Sequence, residues 1–475
     1  MAKTPIRFGT DGWRAIIAED YTFENVRDCA EGVARYLENA GLADRGLIIG
    51  FDTRFGSEHF AAASAEVVAA HGIKTYVFES AAATPVACHA ILDKHAGGAI
   101  VITASHNPGT YNGFKYKPEY GGSAPQEVVD QLEAAIEAGR AAGGPKRIAF
   151  DAGIQQGTIA RFDPRPAYDA HVAGLVDLDR LRSTGVHVVF DAMHATGAGV
   201  LKRLLAGGSS HIQELRAERN PIFPGMAAPE PIARNLSELM ETVVNSEADI
   251  GLATDGDADR LGVVDENGHF VDQHQTYALL CYYLLEFRGM RAPIVRSLTS
   301  TRMIDKLGQA YGVPVYETPV GFKYLGPKMM ETGAMTAGEE SGGYAFAQHL
   351  PERDGAFGAL LMLDLLARSG KTPSQLVQEL FSKVGQHFYD RIDAHVEPGQ
   401  RESAIARVAA AKPDTLGGRR VISQDTVDGY RFELDGGWLL IRPSGTEPLL
   451  RIYTEMTDPA LVKPVLESGR ALAGL

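Results

Sequence analysis

The stretch VITASHNPGTYNGFKY occupies residues 101–116. Its first residues continue an apolar run from Ala99, and the run stops at Ser105, His106, Asn107 and Pro108. Asn and Pro are turn formers, so the serine stands where a strand gives way to a loop. Upstream the same pattern occurs twice. GLIIGFD (46–52) reads as a strand ending in Asp52, and KTYVFE (74–79) as a second. The helical stretch EHFAAASAEVVAAHG lies between them, and ACHAILDKHAG leads into AIVITAS (99–105). This alternation predicts a parallel sheet covered by helices. Ligands on such sheets bind outside the carboxyl ends of the strands, which is where Ser105 falls.

The rhythm recurs along the chain. QEVVDQLEAAIEAGRAAG reads as an amphipathic helix, followed by a Gly/Pro stretch near 143–145. A second unit has VHVVFDAM (186–193) and ADIGLATD (248–255) as strands. A third has PIVRSL, PVYETPV and AMTAGEES, closed by the helix AFGALLMLDLLARSG. The last hundred or so residues differ: RRVISQD, GYRFELDG, GWLLIRPS and LLRIYTE read as strands in meander order, followed by the helix DPALVKPVLESGRALAG. The fold class is therefore α/β, with three similar mixed-sheet α/β domains (1–150, 151–268 and 269–385) and a C-terminal α+β domain (386–475). Three loops at strand ends, on three domains, predict a shared central cleft.

Bulk properties bound the function. A chain of 475 residues accommodates about three or four domains at roughly 100–200 residues each. A net charge of −14 argues against nucleic acid as a partner, yet leaves room for a local cationic pocket that takes a small anion. The three cysteines, Cys29, Cys88 and Cys281, fit no disulfide framework or zinc spacing and read as buried residues of a reducing compartment. The start, MAKTPIRFGTDGW, has no apolar signal core, and the most apolar window, YALLCYYLLEF (277–287), is too short to span a bilayer. The expectation is a cytoplasmic protein without a membrane partner.

Five loops could carry chemistry. A lone serine is usually a cap or turn residue, but Ser105 has His106 and Lys115 near it as potential bases. IGLATDGDADRLGVV places Asp255, Asp257 and Asp259 just after a strand. Three carboxylates so close repel each other unless a cation neutralises them, and oxygen ligands suit Mg²⁺ or Ca²⁺. A calcium-loop reading would use Glu266 at the twelfth position, but Arg260 stands at the sixth, where glycine is needed, and the flanks are strands. An aspartyl nucleophile of a phosphatase also sits after a strand and remains open. In AGEESGGY (337–344), Glu339 and Ser341 can bind vicinal hydroxyls, and TPVGFKY upstream offers Gly321, Phe322 and Lys323 as a turn, an apolar wall and a cation. IRPSGTEPLLRIY offers Arg442, Ser444, Gly445 and Thr446 as an anion cradle. RFGTDGWR bends at Gly9 and Gly12 and can direct Arg14 into the cleft. A serine with a base, a metal site, a polyol reader and a separate phosphate cradle are together the parts needed for phosphoryl transfer on a phosphorylated sugar.

TASHNP, DGDADR, GEESGG and RPSGTEP resemble, in this order, the four signature loops of the α-D-phosphohexomutase superfamily, whose members include phosphoglucomutases, phosphomannomutases and phosphoglucosamine mutases. The resemblance runs from Arg7 to about Tyr453. It implies four domains around a cleft, the last related to the TATA-binding-protein-like fold. It implies that Ser105 carries a phosphate, passes it to a hexose monophosphate, and recovers the other phosphate after the hexose 1,6-bisphosphate has turned around. The same bisphosphate would act as activator. Mg²⁺ would be held by the Ser105 phosphate, Asp255, Asp257 and Asp259. Lys115 would transfer the proton with His106 in support, and Arg14 and Arg260 would contact the phosphoryl group. Glu339 and Ser341 would hold sugar hydroxyls, and Arg442, Ser444, Gly445 and Thr446 the distal phosphate.

GEESGG and TPVGFKY look most like phosphoglucomutase loops, although Phe322 replaces a tryptophan and Arg353 stands where a lysine is common. The expected substrate is therefore glucose 1-phosphate, interconverted with glucose 6-phosphate. The alternatives are a phosphomannomutase or dual-specificity enzyme, then a phosphoglucosamine mutase. A metal-dependent sugar phosphatase and a non-enzymatic sugar-phosphate-binding protein are the readings from other classes. The expected partner is a small hexose phosphate, and the expected state a monomer or homodimer.

Overall fold

The computed structural model of the chain describes residues 5–9, 11–443 and 449–475. The first sheet contains β1 (Trp13–Ile16), β2 (Leu47–Phe51), β3 (Thr75–Phe78), β4 (Gly98–Ile102), β5 (Tyr111–Pro118) and β6 (Ile159–Phe162), in spatial order β1-β5-β4-β2-β3-β6. β2 and β4 are buried at every residue, because helices such as Ser57–Ala70 and Thr84–Lys94 cover the sheet. Burial on both faces explains why these strands read as continuous apolar runs without alternation.

The parallel expectation holds for β4-β2-β3-β6 and fails at one edge. There β5 turns back antiparallel to β4, and β1 pairs antiparallel with β5. Lys115 therefore lies on a strand, register-paired with Val101, rather than in the loop that holds Ser105. Asn112 and Gly113 favour turns, but sheet pairing overrides that preference here. The sheet also continues past residue 150, where the sequence placed a domain boundary, since β6 pairs with β3.

The next two sheets repeat the plan. β7 (His187–Asp191), β8 (His211–Leu215), β9 (Ile250–Thr254), β10 (Leu261–Val264) and β11 (Phe270–Val271) are ordered β11-β10-β9-β7-β8. β12 (Ile294–Ser297), β13 (Val315–Thr318), β14 (Thr336–Gly338) and β15 (Tyr344–Phe346) are ordered β13-β12-β14-β15. In each, parallel strands end with one that folds back antiparallel: β9 onto β10 and β14 onto β15. The three candidate loops are thus equivalent returns, β4 to β5, β9 to β10 and β14 to β15.

The last domain is a meander of β16 (Phe388–His395), β17 (Thr415–Leu416), β18 (Arg419–Asp425), β19 (Tyr430–Leu434), β20 (Gly437–Pro443) and β21 (Leu449–Met456). The order is β16-β21-β20-β19-β18-β17, all antiparallel. Helix Pro459–Ala473 packs on it through Val465, Leu466 and Ala473. No helix among the described residues is long and apolar enough to cross a membrane.

Candidate active site

Ser105 sits just past β4 with φ of +49°, a left-handed conformation that is costly for a residue with a Cβ. The surroundings enforce it. The Arg54 guanidinium, fully buried, donates to the carbonyl oxygens of Ser105 (2.6 Å), Asn107 (2.6 Å), Pro108 (2.9 Å) and Tyr111 (3.1 Å). Ser105 N–H donates to Thr103 Oγ1 at 2.9 Å. Gly256 approaches from the second domain so closely that a Cβ there would lie 2.2 Å from the Ser105 carbonyl oxygen.

The Ser105 hydroxyl donates to Asp255 Oδ2 at 2.8 Å and lies 3.4 Å from His106 Nδ1. Burial first, then the charges of Arg260, Arg14, Lys115 and Arg54, hold His106 well below its usual pKa, so the imidazole is neutral. Arg14 is placed by a 2.7 Å hydrogen bond to Asn107 Oδ1.

Asp255, Asp257 and Asp259 are fully buried, with one oxygen of each within 4.8 Å of the others. Burial and the other two carboxylates push Asp255 well above the usual range. Asp259 is raised by burial, against the pull of Arg353. For Asp257 burial acts upward, but Lys115 and the Thr84 hydroxyl outweigh it and hold it low. Asp257 Oδ1 and Asp259 Oδ1 have no hydrogen-bond partner. Buried, unpartnered carboxylate oxygens facing one another fit a hard divalent cation, which would relieve both repulsion and desolvation. The rival calcium loop is absent, because Glu266 accepts from the Thr372 hydroxyl (2.7 Å) and Ser374 N–H (3.2 Å) at a helix start.

Lys115 reaches this cluster from β5. Its ammonium is 2.8 Å from Asp257, 3.6 Å from Asp259 and 2.8 Å from Asp11. Burial lowers its pKa, but these three carboxylates raise it further, so the resting group is charged.

The third domain meets the second through a bridge between Arg260 and Gly343 and through Leu261 N–H donating to Gly342 O at 3.0 Å. Ser341 donates to Glu339 Oε1 at 2.8 Å, and burial raises Glu339 to about 7. Arg260 lies 3.2 Å from Glu230 and 4.0 Å from Asp255. Around Gly321 the expected wall is absent: Phe322 is 1% exposed, packed with Leu325 and Met329. Its aromatic ring is a core residue because the helix Phe322–Thr332 begins there and turns it inward. Lys323 donates to Gln126 Oε1 of the first domain at 2.8 Å. Arg442, next to last in β20, pairs with Asp428 at 2.9 Å. Ser444, Gly445 and Thr446 lie outside the described residues.

Sequence reasoning missed Arg54, Asp11, Lys117 and Glu352, and set Arg353 aside. Lys117 and Glu352 pair at 2.7 Å between the first and third domains, and both contact the Asp11–Arg353 network. Local signals existed for Arg54, in the FDTR segment where β2 ends, and for Asp11, in RFGTDGWR.

Four families match the chain in order. They are described as phosphoglucomutase/phosphomannomutase alpha/beta/alpha domains I (5–142), II (166–268) and III (272–384), and the C-terminal domain (394–469). The chain belongs to the α-D-phosphohexomutase superfamily. A Thermococcus kodakarensis protein named phosphoglucomutase/phosphomannomutase is 30% identical over 465 residues, covering 97% of each chain. A "Probable phosphoglucosamine mutase" of Methanopyrus kandleri is 30% identical over 448 residues, covering 94% of this chain and 93% of the other. A crystal structure from Thermus thermophilus, of a protein provisionally named a phosphomannomutase, superposes with a TM-score of 0.87 at 33% identity and covers 100% of both chains. These phosphohexomutase relatives carry three different sugar names. The chain is a mutase, an isomerase of hexose phosphates.

Proposed function

We propose that this mutase interconverts glucose 1-phosphate and glucose 6-phosphate through a phosphorylated Ser105. The observation that carries this reading is the 2.8 Å bond between the Ser105 hydroxyl and a buried carboxylate of the three-Asp cluster. That contact supports Ser105 as the phosphate carrier, beside the group best suited to hold a cation. Asp255, Asp257 and Asp259, together with the Ser105 phosphate, would hold Mg²⁺. Mg²⁺ would supply charge neutralisation at the phosphoryl oxygens.

In the forward half-reaction a sugar hydroxyl oxygen bonds to the Ser105 phosphorus, the Oγ–P bond breaks, the sugar hydroxyl loses its proton, and the departing Ser105 oxygen takes one up to return to the hydroxyl. Lys115 is the candidate acceptor of that proton, with neutral His106 beside the serine in support. Lys115 has to lose its own proton first, and charge neutralisation at Asp257 and Asp259 works in that direction, since their negative charge is what holds the ammonium protonated. Arg14 and Arg260 offer cationic donors to the phosphoryl group. The hexose 1,6-bisphosphate turns, and its other phosphate returns to Ser105, so phosphate is conserved. Glu339 and Ser341 accept from and donate to sugar hydroxyls in both orientations. Arg442 begins the cradle for the phosphate that is not reacting, with Ser444, Gly445 and Thr446 as its expected remainder.

The choice of glucose rests on the GEESGG loop. Epimers differ by one hydroxyl, and recognition of one hydroxyl by buried polar groups is enough for strong discrimination. The experiment is Mg²⁺-dependent isomerisation of glucose 1-phosphate, mannose 1-phosphate and glucosamine 1-phosphate, each primed with hexose bisphosphate. Preference for glucose 1-phosphate is expected. Preference for either other sugar replaces the substrate and keeps the chemistry. Release of inorganic phosphate without isomerisation favours Asp255 as a phosphatase nucleophile and ends the mutase reading.

A further inference from the structure

Arg353 is 4% exposed, and one guanidinium serves both candidate subsites. Nη2 lies 2.6 Å from Asp11 and 3.0 Å from Asp259, a carboxylate of the metal cluster. Nη1 lies 3.6 Å from Glu339, the carboxylate of the sugar loop. Nε is 3.1 Å from Glu352. The stem of the side chain is closely packed: it fills the space beside Gly343, where a Cβ would lie 2.3 Å from Arg353 Cδ, and the guanidinium covers the Phe322 ring at 5.0 Å.

We propose that Arg353 is a positioning residue through which cation binding and sugar binding assist each other. The inference rests on the mutase reading of the site. The Nη2 contact competes with a cation for the charge of Asp259. When a cation occupies the cluster, Asp259 holds the guanidinium less strongly. The planar fork then closes the 3.6 Å gap to Glu339 and fixes that carboxylate for the sugar hydroxyls. By linkage the effect is reciprocal: bound sugar draws the fork from Asp259 and leaves that carboxylate freer for the cation.

The test uses Ser105→Ala protein, so that no turnover intervenes, and reads affinities by calorimetry. Mg²⁺ is expected to tighten glucose 1-phosphate by about 5-fold or more, and glucose 1-phosphate to tighten Mg²⁺ by the same factor. Arg353→Lys, a shorter point charge unable to span both carboxylates, is expected to cut that factor to about 2-fold or less while both ligands still bind. A merely structural role would change stability or both affinities without changing the coupling factor. Equal coupling in the Arg353→Lys protein, or none in the parent, overturns the proposal. If Arg353→Lys does not fold, Glu339→Gln makes the same test from the other end, and undiminished coupling there overturns it equally. Failure of the Ser105-intact enzyme to isomerise any hexose phosphate would instead defeat the mutase reading, a separate result.

Discussion

The junction of the first three domains and the attachment of the fourth are built on different principles. One continuous apolar core runs from Ile6 to Val384 through all three α/β domains. Over it lies a buried ionic lattice in which Lys115, Lys117, Glu352, Arg353 and the three aspartates exchange contacts across domain boundaries. The fourth domain has its own core, from Val396 to Ala473. It meets the third through a small apolar cluster of Leu298, Trp438, Leu440 and Tyr453. Around this cluster are Arg431 to Glu317 at 2.7 Å, the Arg302–Glu433 pair, and Val320 N–H donating to Asp428 at 3.0 Å. Small, partly polar interfaces of this kind permit relative domain motion, whereas buried networks that share a core do not. The candidate reacting groups thus sit on three domains that share one core, while Arg442 belongs to a domain with a core of its own; on the proposed reading, that difference would let the fourth domain follow a turning intermediate.

Ser105→Ala attacks the three-domain junction at its chemical centre and should have the largest effect, a loss of at least about 10⁴-fold in turnover. Thermal unfolding should change little, because only one hydroxyl is removed from a loop held by Arg54. Wild-type activity in this variant would break the assignment of the phosphate carrier.

Next comes Asp255→Asn, expected to cost about 10³-fold in Mg²⁺-dependent activity. The same change should raise the melting temperature of metal-free protein, since burial and the two neighbouring carboxylates disfavour a charge at this position and the amide carries none. Excess chelator should imitate the activity loss in the parent enzyme. A drop in metal-free stability would mean that the cluster is a structural polar network.

Glu317→Gln sharpens the other side of the comparison. Three arginines, Arg296, Arg302 and Arg431, lie within 3.5 Å of this carboxylate. Burial raises its pKa, but those guanidinium groups hold it down at about 2. A depressed carboxylate stabilises the fold above its unfolded value and loses that contribution as pH falls from about 4.5 toward 2. The substitution should cost about 2 kcal/mol near neutral pH, allowing for its partial exposure, and flatten the stability profile below pH 4.5. Urea titrations at several pH values measure this, and protease nicking between 385 and 396 should quicken.

The smallest effect concerns Glu339, held near 7 by burial. A protonated carboxyl is a weaker acceptor for sugar hydroxyls, so KM should rise about 3- to 10-fold from pH 8 to pH 6. Glu339→Gln should remove that part of the pH dependence while leaving the titration of the substrate phosphate. An unchanged profile would remove Glu339 from sugar binding.

Much of the site was readable in the chain because its loops are local. Asp255, Asp257 and Asp259 lie within five residues, after an apolar run, and their mutual repulsion is a property of spacing alone. Ser105 was found for the same reason, since a strand end followed by Asn-Pro announces a loop. Phe322 was misjudged because an aromatic residue in a Gly-containing turn carries no sign of which way the next helix will face it. Lys115 reads in sequence as a candidate base near Ser105 but lies on β5, because return strands carry turn-forming residues whose preference pairing overrides.

What sequence alone determined is whatever short-range physics encodes: the alternation of apolar strands and helices, the three polar returns, the meander at the end, and the order of four loops that places the chain in its superfamily. Tertiary structure decided which distant charges share one buried space. Asp11, Lys117 and Arg353 are separated from their partners by over a hundred residues in several cases, and isolated charged side chains look alike in sequence. Their meaning comes from desolvation. An ion pair at a surface contributes little, whereas the same groups enclosed between domains must be matched charge for charge, and only the folded arrangement of three sheets sets those matches.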